Sequence, residues 1–238
     1  MANGEWRIAN QQIANYELRI TDYALRITTA AIIAILTLLP CSASLPPWQL
    51  YTFHANSFTP LPSLPSLPSL PSLPSLPSPP SLPSPPSSWH VTASTLADAT
   101  NDGAPEWVLL VWRPWRDWPI QRWLPVPSPI AGFHDAAGHS CHLILLDPRD
   151  GHELWAGSAL PAPLLALAVG DVNGDGRNEV VTLEGDYAAG RDGPATRVDV
   201  WYWNGFGFTL EWRSPPGFFY QLRLTDVDNS GILDIAVR

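Results

Sequence analysis

The sequence predicts an all-β fold, a partial β-propeller of four-stranded antiparallel blades with about two and a half blades present. Three observations carry this expectation. An acidic, Gly-containing loop occurs three times, each time between two short apolar runs. Those runs are rich in Val, Leu, Ile and Trp and are bounded by Gly, Pro, Asn and Asp, as strands are. Between other pairs of runs stand tight-turn signals, PRDG at 148–151 and Asn204-Gly205, which mark hairpins.

The loop is clearest at 170–179, GDVNGDGRNE, where Asp171, Asn173 and Asp175 alternate, Gly176 follows and Glu179 closes the run. Asp98, Thr100, Asp102, Gly103 and Glu106 repeat this register, and so do Asp226, Asp228, Ser230, Gly231 and Asp234. A hard cation such as Ca²⁺ takes six to eight oxygens at about 2.3–2.6 Å, which alternate oxygen-bearing side chains on a curled loop can supply. The glycine admits the positive φ that the curl needs, and the backbone carbonyl of Arg177 is placed as a further ligand. Asx-turns without an ion use the same residue types, but three copies in one register favour a metal. An EF-hand is excluded. Position twelve from each first Asp is Leu109, Thr182 or Val237, none of which can ligate, and the flanks read as strands. Donor quality at positions three and five ranks the expected affinities as loop two, then loop three, then loop one.

AVGDVNGDGRNEVV resembles the FG-GAP/VCBS repeat, the calcium-loop unit of integrin-α-type β-propellers, and the resemblance covers about residues 89–238. It departs from the usual pattern at Thr100 and Ser230, where Asn or Asp is usual. The resemblance implies Ca²⁺ as the ion and a recognition or adhesion role without catalysis.

The chain has 238 residues, 22 acidic against 13 basic side chains, and a net charge of −9. That balance argues against non-specific nucleic-acid binding, which needs a basic face. Two cysteines, Cys41 and Cys141, imply no disulfide framework.

Along the chain, residues 1–44 read as a leader. YELRITD (16–22) is nearly repeated by YALRITT (23–29), too few copies for a coiled coil. The apolar run at 30–39, preceded by Arg26 and followed by Ser42, Ala43 and Ser44, has the pattern of a secretory segment. It is short for a membrane-spanning helix, which needs about 20 residues. LLPC at 38–41 leaves lipidation of Cys41 open. Residues 45–88 read as a linker, and the Leu-Pro-Ser repeats of 60–87 suit a polyproline II rod standing clear of the β domain.

Residues 89–238 then divide into units of strand, acidic loop, strand, variable loop, strand, tight turn, strand. The expected strands are 89–95, 107–112, 141–147 and 153–158, then 164–169, 180–183, 197–203 and 206–213, then 218–224 and 235–237. The first unit carries an insertion at 113–140. The third stops at Arg238 with an unpaired edge expected, which reads as truncation or as blades supplied by another chain. LLDPRDGHELW is similar to a hairpin of quinoprotein propeller blades, with no cofactor chemistry attached.

Two other clusters have bland and functional readings. Trp112, Trp115, Trp118 and Trp123 among Arg113, Arg116 and Arg122 suit either a cover for the core or a binding hot spot. His134, His139, Cys141 and His142 include zinc-ligand types, but their spacing matches no standard site, and no base is placed to activate Cys141.

The functional expectation is an exported, calcium-binding recognition or adhesion module at the cell surface, with a protein or glycan ligand. The alternative is the non-catalytic propeller part of an extracellular enzyme acting on polysaccharide or of quinoprotein type.

Overall fold

A computed structural model describes residues 46–54, 57–64, 81–114 and 132–238. These residues lie in one compact unit, Pro46–Arg238. The expected leader at 1–44, Cys41, most of the Leu-Pro-Ser tract and the Trp115–Trp123 cluster fall outside the described residues.

The described chain is all-β, with no helix, and forms three four-stranded antiparallel sheets. The first contains β3 (His90–Ala97), β4 (Glu106–Pro114), β5 (His139–Leu146) and β6 (Glu153–Ala156), in that order. The second contains β7 (Leu164–Gly170), β8 (Glu179–Glu184), β9 (Arg197–Trp203) and β10 (Phe208–Arg213), again in chain order. In each, the acidic loop joins the first two strands and a turn joins the last two. Strand ends match the sequence reading to within a few residues.

The third sheet departs from expectation. Its order is β11 (Leu222–Thr225), β12 (Asp234–Val237), β1 (Trp48–His54), β2 (Ser57–Leu64). Leu50 pairs with Ala236 and Tyr51 with Ile235, so the edge expected to be bare after Arg238 is occupied by β1. Residues 48–54 and 57–64, assigned to the linker on composition, thus belong to the sheets, and the described residues form three four-stranded sheets. Trp48-Gln-Leu-Tyr-Thr-Phe is a short apolar run that the neighbouring prolines obscure. Pro60 is tolerated because β2 is an edge strand, where a missing N–H costs no ladder bond. The segment 81–89 also touches the sheets: Leu82 and Trp89 pack on the first sheet, and Gly151 lies against Pro83. A rod clear of the β domain is therefore not found at either described end of the tract.

Cores lie between the sheets. Val108, Leu110, Trp112, Cys141, Leu143 and Leu145 of the first sheet share one core with Leu164 and Val180 of the second. Val181, Leu183, Val198 and Val200 of the second share another with Tyr51, Phe58, Ile235 and Val237 of the third. Alternation explains how one sheet serves two cores, since adjacent residues of a strand face opposite ways. β4 is buried along most of its length, with Trp107, Leu109 and Val111 on its other face, which is why it reads as an unbroken apolar run. The opening strands β3, β7 and β11 are neighbours, with β7 between the other two. That places the three acidic loops, which follow these strands, in a row.

Candidate metal centre

The three loops repeat one hydrogen-bond scheme. The first Asp folds the loop around its own carboxylate. Asp98 accepts the N–H of Asp102 (3.1 Å) and of Gly103 (2.8 Å). Asp171 accepts those of Gly174 (2.6 Å) and Gly176 (2.9 Å), and Asp226 those of Ser230 (3.0 Å) and Gly231 (2.9 Å). Gly103, Gly176 and Gly231 hold φ of 91°, 81° and 87°, a region that side-chain-bearing residues seldom adopt.

The closing carboxylate is buried in every loop and accepts the N–H of the second loop residue. The pairs are Ala99 to Glu106 (2.9 Å), Val172 to Glu179 (3.1 Å) and Val227 to Asp234 (3.1 Å). At position three, Thr100 Oγ1 donates to Glu106 (2.9 Å) and Asn173 Nδ2 to Glu179 (3.3 Å). At position five, Asp102 and Asp175 each accept the N–H two residues on, as Ser230 does. Arg177 lies exposed in loop two.

Burial pushes Glu179 up to about 7, with Asp175, Glu211 and Asp171 adding repulsion. Burial likewise raises Glu106, with Asp102 and Asp98 contributing. Among the described residues, neither carboxylate has a cationic partner. The donor set is oxygen only, which suits a hard divalent cation. The Asp98, Asp102 and Glu106 carboxylates come within 4.8 Å of one another, a spacing that fits one ion. The corresponding carboxylates of loops two and three do not form such a group. The best-gathered set is thus in the loop that donor quality ranks last.

Adjacent loops are joined. Asn101, itself at φ 60°, donates from Nδ2 to the carbonyl of Asn178 (3.1 Å) and accepts its N–H (2.6 Å). Asn178 Nδ2 donates to the carbonyl of Asp98 (2.9 Å). At the same step between loops two and three, Leu233 N–H donates to the backbone carbonyl of Asp171 (3.1 Å), and Ile232 packs where Gly174 has no Cβ.

Two features escaped the sequence reading. Glu211 of β10 reaches loop two, accepting from Asn173 Nδ2 at 3.4 Å. Nothing local to Glu211 signals this, because only the pairing of β8, β9 and β10 brings it there. Asp147, Asp150 and His152 form a second acidic group in the PRDG turn. Their spacing was visible, but Arg149 occupies Asp147 through its backbone N–H and guanidinium and holds it well below the usual carboxylate range.

The His/Cys cluster does not assemble into a site. Cys141 faces the core, where burial pushes its thiol up to about 12. His142 faces the other way, bonded to Ser140 and Gly157. His139 lies by Asp135. Trp112 is a core residue, edge-on to Tyr187 and covered by Arg191.

No family model, curated protein or solved structure matches this chain.

Proposed function

We propose that residues 46–238 are propeller blades stabilised by Ca²⁺ in their acidic loops, and that the chain is an exported, non-catalytic recognition or adhesion module at the cell surface. The observation that carries the calcium reading is the threefold recurrence of one loop scheme, with a first carboxylate at the rim and a closing carboxylate buried beneath it. Burying a carboxylate without a cation is costly, and doing so three times at one register fits a shared ligand better than a shared turn. Asp98, Thr100, Asp102 and Glu106 would hold an ion in loop one. Asp171, Asn173, Asp175, Glu179 and the Arg177 carbonyl would do so in loop two, and Asp226, Asp228, Ser230 and Asp234 in loop three. A bound ion would supply charge neutralisation and cross-linking of each loop. The apolar segment at 30–39 supports export, and the FG-GAP resemblance supports recognition of a protein or glycan.

The test is thermal melting of the full chain in Ca²⁺ and in chelator. A ligand at a hundred times its dissociation constant stabilises by about 2.7 kcal/mol, so the melting temperature should rise with Ca²⁺ and Asp102→Ala should lessen the rise. Superimposable curves would refute calcium binding.

A further inference from the structure

We propose that the cavity beside loop two binds one neutral sugar residue of a glycan, an inference that rests on the recognition reading above and names its ligand class. The cavity measures about 220 Å³ and is bounded by loops one and two, by the end of β9 and by Glu211 of β10. It is smaller than the roughly 300–1,000 Å³ of sites for drug-sized ligands, so it suits a single ring with the rest of the ligand in solvent.

Its walls combine two kinds of surface. Tyr202 and Trp203 are the aromatic part. Trp203 is held in place by edge-on contacts with Trp155 (5.6 Å) and Phe208 (5.1 Å), so its ring is oriented before any ligand arrives. Tyr202 is 41 % exposed although its strand is central in its sheet. Glu211, the Arg177 guanidinium and Asn173 Nδ2 supply the polar part, since the oxygens of Asn173 and Asp175 would be taken by the ion in loop two. A sugar ring has an apolar C–H face that lies on an aromatic ring and a rim of hydroxyls that both donate and accept. Amide and carboxylate groups beside one guanidinium match that rim. The loops cannot drift apart around the ligand, because Asn101 and Asn178 are committed to each other.

Charge narrows the ligand further. With a divalent cation in loop two, the four carboxylates of Asp171, Asp175, Glu179 and Glu211 still outnumber the three positive charges of the ion and Arg177, so an acidic sugar is repelled. A lysine or arginine side chain of a partner protein carries donors only and would leave the amide donors of the site unmatched.

The experiment uses the full chain in Ca²⁺, with methyl glycosides of glucose, galactose, mannose and N-acetylglucosamine, and methyl glucuronide as the acidic probe. Saturation-transfer NMR reads contact, and tryptophan fluorescence reads affinity. At least one neutral glycoside should bind, methyl glucuronide should bind more weakly, and Tyr202→Ala should weaken binding about tenfold, the worth of one aromatic contact. Glu211→Gln keeps the shape and should narrow the gap between neutral and acidic probes. Absence of transfer from every neutral glycoside overturns the proposal, and so does equal binding by Tyr202→Ala. Preference for acetyl-arginine amide over the sugars overturns it too. A Ca²⁺-dependent melting shift, recorded on the same samples, separates the two readings. If the shift is present and sugar binding absent, only the sugar site fails; if both are absent, the calcium reading fails with it.

Discussion

His142 is buried on β5, on the opposite face from Cys141. The Gly157 carbonyl accepts from Nδ1 at 3.0 Å, so Nδ1 carries the proton and Nε2 accepts from Ser140 Oγ at 2.7 Å. The neutral ring therefore has both nitrogens satisfied. A proton on Nε2 would face Ser140's hydroxyl, add a charge in a dry site and stand near Arg113. Burial first, then Arg113, lowers its pKa to about 4 from an ordinary 6.5. Between those values the unfolded chain holds the extra proton and the folded chain does not, so stability falls as pH drops from about 6.5 to about 4. The full effect is on the order of 3 kcal/mol. Melting temperature against pH checks this. The wild type should lose stability over that window, and His142→Gln, which cannot charge, should lose less of it. Parallel profiles for the two proteins would remove His142 as the cause.

At the scale of elements, the loops act as a row because each touches the next. The Asn101–Asn178 clasp consists of three hydrogen bonds between residues far apart in sequence. Each such bond contributes roughly 0.5–1.5 kcal/mol net. Asn101→Gly keeps the positive φ and removes the side chain, and Asn178→Ala removes the Nδ2 donor. Each should destabilise the fold by about 1–2 kcal/mol. Because the three bonds form one network between the same two loops, loss of one loosens the others, and the double variant should fall short of the sum by more than about 0.5 kcal/mol. Denaturant unfolding of the four proteins measures this, and additive losses would mean the clasp carries no coupling. The second step has one hydrogen bond, Leu233 N–H to the Asp171 carbonyl, and adds the packing of Ile232 over Gly174. Only glycine serves there, since a Cβ at position 174 would lie 2.6 Å from the Ile232 side chain at a φ of 77°.

At the scale of the whole molecule, the third sheet joins the first two described strands to the last two. β12 is central, with β11 on one side and β1 on the other, and it carries Ile235, Ala236 and Val237 fully buried. β1 contributes Leu50 opposite Ala236 and Tyr51 edge-on to Trp212 of β10, and β2 contributes Phe58. Neither β11 nor β12 exceeds four residues, so the pair has little stability without β1. Leu50→Asp should therefore loosen β12 far more than β8 or β9. Hydrogen exchange of backbone amides reads it: those of 235–237 should lose protection while those of 180–183 and 198–200 keep theirs. Uniform loss, or none at 235–237, would show that β1 does not hold the sheet.

The acidic loops and the strands beside them were legible because their physics is local. Asp171 bonds to Gly176, and Glu179 to Val172, within a single nine-residue segment, so spacing alone determines the scheme. The hairpins at 148–151 and 204–207 were legible for the same reason. What the tertiary structure decided is whatever joins distant segments. Trp48–His54 sits beside a proline-rich tract and looks like linker until Ile235 and Ala236 offer an edge to pair with. Glu211 is an ordinary exposed acid until β8, β9 and β10 align and carry it to Asn173. Asn101 and Asn178 are two unremarkable amides until β3 and β7 become neighbours. In each case the partner lies far along the chain, and a hydrogen bond or an apolar contact forms only after that distance has been closed by the packing of whole sheets.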